Sequence, residues 1–186
     1  MKNIWEVWTS ALTPAECDDI IARSRTYPEK TATVGFGDSR RVDRNLRESI
    51  VRWFPPHKEP QLVERLMYYV RSSNRTNFGF DLVAPFDIQF TEYHGTSNGR
   101  YGWHHDVRLN HQAPYDRKLS VVVQLSDRAD YEGGEFEFWG VQNPGQVFEP
   151  RGSILLFPSF LQHRVLPVTR GVRYSLVTWI EGPQWR

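Results

Sequence analysis

The spacing of apolar residues along the chain changes character near residue 80. Before that point, apolar side chains recur every three or four positions, which is the period of a helix with one buried face. Two such segments stand out, at residues 12–28 and at about residues 60–78. Thr13 opens the first segment and Glu16 follows three positions later, as in a capping box. The sequence therefore predicts two helices in its N-terminal part.

After Pro85 the period falls to two, and Gly or Pro interrupts the chain at short intervals, which is typical of antiparallel β-structure. The pattern predicts eight strands, at residues 86–93, 100–107, 118–126, 134–139, 145–149, 153–157, 163–168 and 172–180. We expect a mainly β fold, a double-stranded β-helix or jelly roll, with the N-terminal helices packed on one outer face. Residues 118–126 and 172–180 are richest in β-branched and aromatic side chains, so we place them centrally and expect edge strands near residues 144–150.

The length of 186 residues fits a single domain, in which residues 1–82 form a helical support region and residues 83–182 the β core. A net charge of +1 disfavours binding to a nucleic-acid backbone. No apolar run reaches the roughly eighteen residues of a membrane span, and no signal peptide is recognisable, so we expect a cytoplasmic protein without membrane contact. Cys17 is the single cysteine, which excludes an intramolecular disulfide. Nothing in the sequence points to an oligomeric state.

Three residues on two predicted strands offer a metal site. Alternate side chains of a strand share one face, so His104 and Asp106 project together while His105 points away. His163, from a later strand, adds a second imidazole. Two imidazoles and one carboxylate form the facial triad of non-haem Fe(II) oxygenases, which leaves coordination positions open. A His-X-Asp tripeptide also occurs by chance in many proteins. Its position in an all-β segment, together with a second histidine on a later strand, favours a metal site over chance.

Arg173 lies ten residues after His163 on another predicted strand. A strand-borne arginine at that offset can reach the same cavity, where its guanidinium would bind a carboxylate in bidentate fashion. A metal with open positions and a buried arginine together imply a small dicarboxylate that chelates at one end and is anchored at the other.

At this point the sequence resembles a known family. The segments YEGGEFEF, RGSILLFPS and HRVLPVTRGVRYSLVTWIEG are similar to those of the Fe(II)- and 2-oxoglutarate-dependent dioxygenases of the prolyl 4-hydroxylase group, and especially to bacterial PKHD-type hydroxylases. The resemblance covers roughly residues 86–182. Residues 130–135 read DYEGGE, one residue longer than the corner typical of that family. This departure concerns a turn and leaves the candidate metal ligands untouched.

The resemblance implies a role for each of several residues. His104, Asp106 and His163 would bind iron, and Arg173 would pair with the distal carboxylate of 2-oxoglutarate. Further contacts to that cosubstrate, or to its pocket, are implied for Tyr93, Ser175, Gln124 and Trp179. Gln124 stands where related enzymes carry a tyrosine over the distal carboxylate. The other three also have plain structural interpretations, as core aromatics for Tyr93 and Trp179 and as a small residue in a crowded strand for Ser175.

The resemblance also implies an activity, the hydroxylation of an unactivated C–H bond with consumption of O2 and 2-oxoglutarate and release of succinate and CO2. A prolyl residue in a protein or peptide is the substrate that the family suggests, with ascorbate as a stimulant of turnover. Residues 38–52 carry an excess of arginine beside Trp53 and Phe54. This segment is either a solvated loop or a rim that grips an extended peptide, for example one from a basic protein.

The same residues leave three other functions to consider. A hydroxylase of a free amino acid or other small molecule would share every feature above. A non-catalytic jelly-roll binding module predicts that the triad and Arg173 fail to converge. A nucleobase demethylase is disfavoured, because that family carries a second arginine downstream and the only basic residue after Arg173 is Arg186.

Overall fold

A computed structural model describes residues 1–35, 39–83, 85–107 and 114–185 of the chain. Both predicted helices are present, α1 at Pro14–Ser24 and α2 at Pro60–Ser73. Thr13 caps α1 as expected, because its hydroxyl accepts from the amide of Glu16 while the Glu16 carboxylate accepts from the amide of Thr13. A π-helical turn, Asn74–Phe78, extends α2 to the predicted end, where left-handed Gly79 closes it.

Twelve strands account for most of the remaining ordered backbone in the described ranges. They are β1 (Glu6–Trp8), β2 (Lys30–Thr31), β3 (Arg47–Glu48), β4 (Ile50–Phe54), β5 (Pro85–His94), β6 (Arg100–His104), β7 (Tyr115–Gln124), β8 (Tyr131–Gly133), β9 (Phe136–Phe138), β10 (Ile154–Pro158), β11 (His163–Val165) and β12 (Val168–Pro183).

The strands form two antiparallel sheets. The larger has the order β1-β10-β7-β12-β5-β4-β2, with β8 paired to one end of β12, and the smaller has the order β3-β6-β11-β9. The fold is mainly β and of the jelly-roll type, as the strand pattern predicted. The two segments predicted to be central, now β7 and β12, are neighbours in the middle of the larger sheet.

The larger sheet is covered on both sides. On its outer face, side chains such as Phe90, Val121 and Leu176 pack with Ile20 of α1 and Leu66 of α2. This contact confirms that the N-terminal helices cover one outer face. On its inner face, a second apolar cluster joins the larger sheet to the aromatic residues of β9 in the smaller sheet. Alternation along each strand therefore sends one set of side chains to the helices and the other set into the space between the sheets.

Three expectations about the strands were wrong. Residues 145–149 form a 3-10 turn, Gly145–Val147, because Pro144 and Pro150 restrict the backbone and Gly145 has a φ of 51°. The edges of the larger sheet are consequently β1 and β2 rather than this segment. The N-terminal support region is also not purely helical, since β1 to β4 all lie within it and extend both sheets.

A search of the described helices for one long and apolar enough to cross a membrane finds none.

We predict that Thr13→Ala lowers the free energy of unfolding by about 1 kcal/mol, because the first turn of α1 loses its cap. Urea denaturation measures this change. Thr76→Ala is the matched control, since the Thr76 hydroxyl donates only to the Ser72 carbonyl inside a helical segment and should change stability by no more than about 0.5 kcal/mol. Equal losses in the two variants would contradict a specific role for the cap.

Candidate functional site

A cavity of about 670 Å³ opens between the two sheets, and the three candidate metal ligands lie together in its wall. His104 ends β6 and His163 begins β11, and the two residues are paired across the antiparallel ladder. Asp106 follows two positions after β6. The Asp106 carboxylate oxygens lie 3.9 Å from Nε2 of His104 and 3.6 Å from Nε2 of His163. One ligand atom from each residue falls within 4.8 Å of the other two.

Backbone carbonyls fix the orientation of both imidazoles. Nδ1 of His104 lies 2.8 Å from the Gly102 carbonyl oxygen, and Nδ1 of His163 lies 2.8 Å from the Leu161 carbonyl oxygen. A carbonyl oxygen only accepts, so Nδ1 of each ring carries the proton and donates it. Nε2 of each ring is therefore left with a free lone pair that faces the site, as metal coordination requires.

Two serines position Asp106, one through its carboxylate and the other through its backbone amide. Ser120 Oγ donates to Asp106 Oδ2 over 2.7 Å and lies 2.9 Å from Ser159 Oγ. The Asp106 amide also donates to the Ser159 carbonyl over 2.9 Å. Asp106 is thus positioned although the strand ladder ends at His104. The side chain of His105 between them is exposed; it also borders the cavity but is not one of the three grouped ligands.

The protonation states suit a metal dication. Burial lowers the pKa of His104 well below its usual value, and the charge of His163 lowers it further. Burial also lowers the pKa of His163. For Asp106, burial acts to raise the pKa, but the positive charges that His163 and His104 carry when protonated, together with Arg117 and the Ser120 hydrogen bond, outweigh it and the net shift is downward. Two neutral imidazoles and one carboxylate at neutral pH form a donor set that fits Fe(II).

Arg173 of β12 lines the same cavity and is 2% exposed. Its Nη1 atom has no hydrogen-bond partner among the described residues. The guanidinium lies 5.8 Å from the ring centre of Tyr93, the residue paired with Arg173 on β5. A buried cation with an unfilled donor is costly unless a ligand supplies the anion. The position of Arg173 therefore suits an anchor for a carboxylate.

The predicted Gly133-Gly134 corner lies against this arginine. Both glycines have positive φ angles, 74° and 69°, which residues other than glycine rarely adopt. A Cβ at Gly134 would lie 3.1 Å from Cδ of Arg173 and 2.8 Å from Cγ2 of Val168. Glycine at this corner leaves room for the arginine.

The structure places the remaining predicted residues in two groups. Tyr93, Ser175 and Trp179 line the large cavity together with the triad and Arg173. Gln124 does not, and lies instead on a small cavity of about 40 Å³ on the other side of Arg173. Its Nε2 donates to the Tyr131 hydroxyl over 2.7 Å, while its Oε1 has no partner in the described part of the chain. Tyr131 was missed, although it lies in the glycine corner that the sequence had singled out.

Sequence reasoning also missed a set of cavity residues that come from separate elements. Tyr101 stacks on His104 with 3.4 Å between ring centroids, and burial raises the pKa of its hydroxyl to about 12. Other cavity residues that the sequence did not single out include Lys30, Asp87, Gln89 and Arg117. No local spacing connects these four positions with the histidines.

The arginine-rich segment divides between cavity and surface. Arg40 and Arg47 line the cavity. Arg44 instead pairs with Glu48, and Arg52 pairs with Glu29 and Glu92. Two arginines of the segment therefore lie in the wall of the cavity, whereas others form ion pairs with neighbouring carboxylates. Asp38, the first residue of this segment, lies outside the described residues.

Comparisons with known proteins agree on a family. A family model described as the 2OG-Fe(II) oxygenase superfamily matches residues 88–181. A PKHD-type hydroxylase from Synechococcus sp. (strain CC9902) is 43% identical over 82 residues, which is 44% of this chain and 36% of that protein. The PKHD-type hydroxylase YbiX from Shigella sonnei is 41% identical over 89 residues, 46% of this chain and 40% of that protein. The matches thus span well under half the length of these two relatives.

Solved structures share the fold over nearly the whole chain. A Pseudomonas putida prolyl-4-hydroxylase superposes with a TM-score of 0.72 at 21% identity, covering 97% of this chain and 94% of that one. A Trichoplax adhaerens prolyl hydroxylase, solved in complex with a hypoxia inducible factor peptide fragment, gives a TM-score of 0.75 at 15% identity. That superposition covers 96% of this chain and 83% of the other.

We predict that Ser120→Ala weakens metal binding by about 10- to 100-fold, because Asp106 loses the hydroxyl that orients its carboxylate. Anaerobic titration with Fe(II) or Co(II) measures the affinity. Ser153→Ala is the matched control, since Ser153 is equally buried but its Oγ has no partner among the described residues. An unchanged affinity in Ser120→Ala would show that the serine does not support the site.

Proposed function

This chain belongs to the 2OG-Fe(II) oxygenase superfamily, and on that premise we propose that it is an Fe(II)- and 2-oxoglutarate-dependent dioxygenase. The proposed reaction hydroxylates an unactivated C–H bond and releases succinate and CO2. We propose a prolyl residue in a protein or peptide as the substrate.

One observation carries the proposal, namely that the triad and a buried arginine, whose Nη1 has no hydrogen-bond partner among the described residues, converge in one cavity. His104, Asp106 and His163 offer three ligand atoms on one side of the site, which leaves other coordination positions free for a chelating ligand. Arg173 faces the same space with a donor that no described group fills. A non-catalytic module has no need for this convergence, so the arrangement favours an enzyme.

Each residue of the site has a defined task in this proposal. Bound Fe(II) would supply the redox chemistry that couples decarboxylation of 2-oxoglutarate to oxidation of a C–H bond. The carbonyls of Gly102 and Leu161 keep the two imidazoles aimed at the metal position. Arg173 would hold the distal carboxylate through charge-assisted hydrogen bonds. The walls of the cavity keep the substrate bond near the metal and exclude water.

The prolyl substrate rests on relatives and on the character of the cavity wall. The similar proteins carry the names PKHD-type hydroxylase and prolyl-4-hydroxylase. Trp53 and Trp179 line the cavity with their ring centroids 6.3 Å apart. Aromatic surfaces of this kind are recurrent partners of proline rings in peptide recognition.

We predict that His104→Ala, Asp106→Ala and His163→Ala each abolish succinate formation from 2-oxoglutarate, measured in air with added Fe(II) and ascorbate. Loss of a ligand removes the metal on which turnover depends. His105→Ala is the neighbouring control, and it should retain most of the activity because its side chain is exposed.

Equal loss in His105→Ala would contradict the assignment of ligands. Wild-type protein that neither forms succinate nor binds 2-oxoglutarate in calorimetry would favour the binding-module function. Omitting ascorbate from the same assay tests its predicted stimulation.

We predict that Arg173→Met raises the 2-oxoglutarate concentration needed for half-maximal turnover by about 10- to 100-fold, because charge-assisted hydrogen bonds to the carboxylate are lost. Metal affinity should change little, since Arg173 is not a ligand. Steady-state kinetics and metal titration separate the two effects. The assignment of Arg173 fails if the 2-oxoglutarate requirement is the same in both proteins.

A further inference from the structure

The cavity keeps an excess of positive charge after its cofactors are counted. In the proposed function, Fe(II) and Arg173 carry three positive charges, and Asp106 with dianionic 2-oxoglutarate carries three negative ones. The loaded centre is therefore neutral. Among the described residues, the other charged groups that line the cavity are Asp87 and four cations, namely Lys30, Arg40, Arg47 and Arg117. Cations thus outnumber acids four to one among these lining groups.

Arg47 is the best defined of these cations. It lies on β3, is 8% exposed, and stacks on the Tyr101 ring with 4.4 Å from Cζ to the ring centre. Its hydrogen bonds go to neutral acceptors, the Ser49 hydroxyl over 3.1 Å, the Gln89 side-chain oxygen over 2.6 Å and, at 3.4 Å, the Thr33 carbonyl. A guanidinium has five N–H donors, so two remain.

This arrangement differs from that of Arg164, another stacked arginine next to the site. Arg164 lies over Trp103 at the same 4.4 Å, but its guanidinium also pairs with the Glu137 carboxylate at 2.7 Å. Arg47 has no carboxylate within ion-pair distance in the described part of the chain. Burial of a charge without a counter-ion is unfavourable, and it is tolerated where a ligand completes the pair.

Arg47 and Arg117 line the cavity that holds the candidate metal ligands. Tyr101, on which Arg47 stacks, itself stacks on His104. Arg117 stacks at 3.8 Å on Trp179, which lines the same cavity. The cavity that contains the metal ligands is therefore lined by positive charge in addition to that of Arg173. A cleft lined by one sign of charge concentrates ligands of the opposite sign.

We propose that the substrate carries a carboxylate close to the C–H bond that is hydroxylated, and that Arg47 binds this carboxylate. The inference rests on the proposed function, because it assumes that 2-oxoglutarate is bound at Arg173. For a prolyl peptide, the carboxylate is an acidic side chain next to the proline. For a free acid, it is the carboxylate of the substrate itself. The charge of the cavity disfavours the peptide from a basic protein that the arginine-rich sequence had suggested.

Calorimetry with two matched pairs of probes tests the inference, using Fe(II)- and 2-oxoglutarate-loaded protein without oxygen. The peptide pair is acetyl-Glu-Pro-Glu-amide and acetyl-Gln-Pro-Gln-amide, and the small-molecule pair is N-acetylproline and its amide. We expect the acid of at least one pair to bind about tenfold or more tightly than its amide twin. A preference in the peptide pair assigns an acidic peptide, and one confined to the small-molecule pair assigns a free acid.

Arg47→Met should remove most of this preference, and Arg47→Lys should retain part of it because the charge remains. Arg164→Met is the matched control, since it removes an arginine stacked at the same distance that already has a carboxylate partner. It should keep the full preference. A preference that survives unchanged in Arg47→Met would overturn the role of this residue.

The same titrations separate this inference from the function on which it rests. Wild-type protein that fails to bind 2-oxoglutarate would overturn the proposed function. Normal 2-oxoglutarate binding with equal affinities within both pairs, or with no probe bound in the millimolar range, would overturn only the acidic substrate. Normal 2-oxoglutarate binding by Arg47→Met also shows that this variant is folded.

Discussion

The site depends on one constraint, the alternation of side chains between the two faces of the larger sheet at every second residue. Each central strand sends an apolar set of side chains toward the helices and, toward the space between the sheets, a set that includes the polar side chains of the site. On β12, Leu176 packs with the helices, whereas Arg173 and Ser175 face inward. On β7, Val121 and Val123 face outward and Ser120 faces Asp106. A slip of one residue in either strand would bury the apolar set in the cavity and place a charged arginine beneath the helices.

The smaller sheet supplies the two histidine ligands, and the site depends on the register of its strands as it does on that of the larger sheet. His104 and His163 meet because β6 and β11 pair at those residues, and each ring is then oriented by a carbonyl of its own chain segment. Asp106 lies beyond the ladder and depends on Ser120 of the larger sheet. The proposed centre therefore forms only when the two sheets are correctly stacked, so metal binding and packing of the sheets stabilise each other.

The sequence predicted those parts of the fold whose signals are local. The capped first helix, the central strands and the glycine corner follow from spacing and backbone preference, and the structure confirms them. Strands β1 to β4 were missed because they have two to five residues and arise from pairing with distant strands rather than from intrinsic preference. Residues 145–149 were wrongly predicted as a strand, because the flanking prolines Pro144 and Pro150 restrict the backbone there. The prediction that residues 1–186 form one domain stays a prediction.

The same distinction between local and distant signals separates the two halves of the proposed site. The family model begins at residue 88 and contains the triad and Arg173, the groups proposed to bind iron and 2-oxoglutarate. Arg47, Trp53 and Lys30 precede that region and reach the cavity because β2, β3 and β4 extend the two sheets. In our proposal, the chemistry of the cofactors is thus carried by the matched part of the chain. The proposed recognition of the substrate depends in large part on a segment outside that match, which forms a wall of the cavity as well as a support.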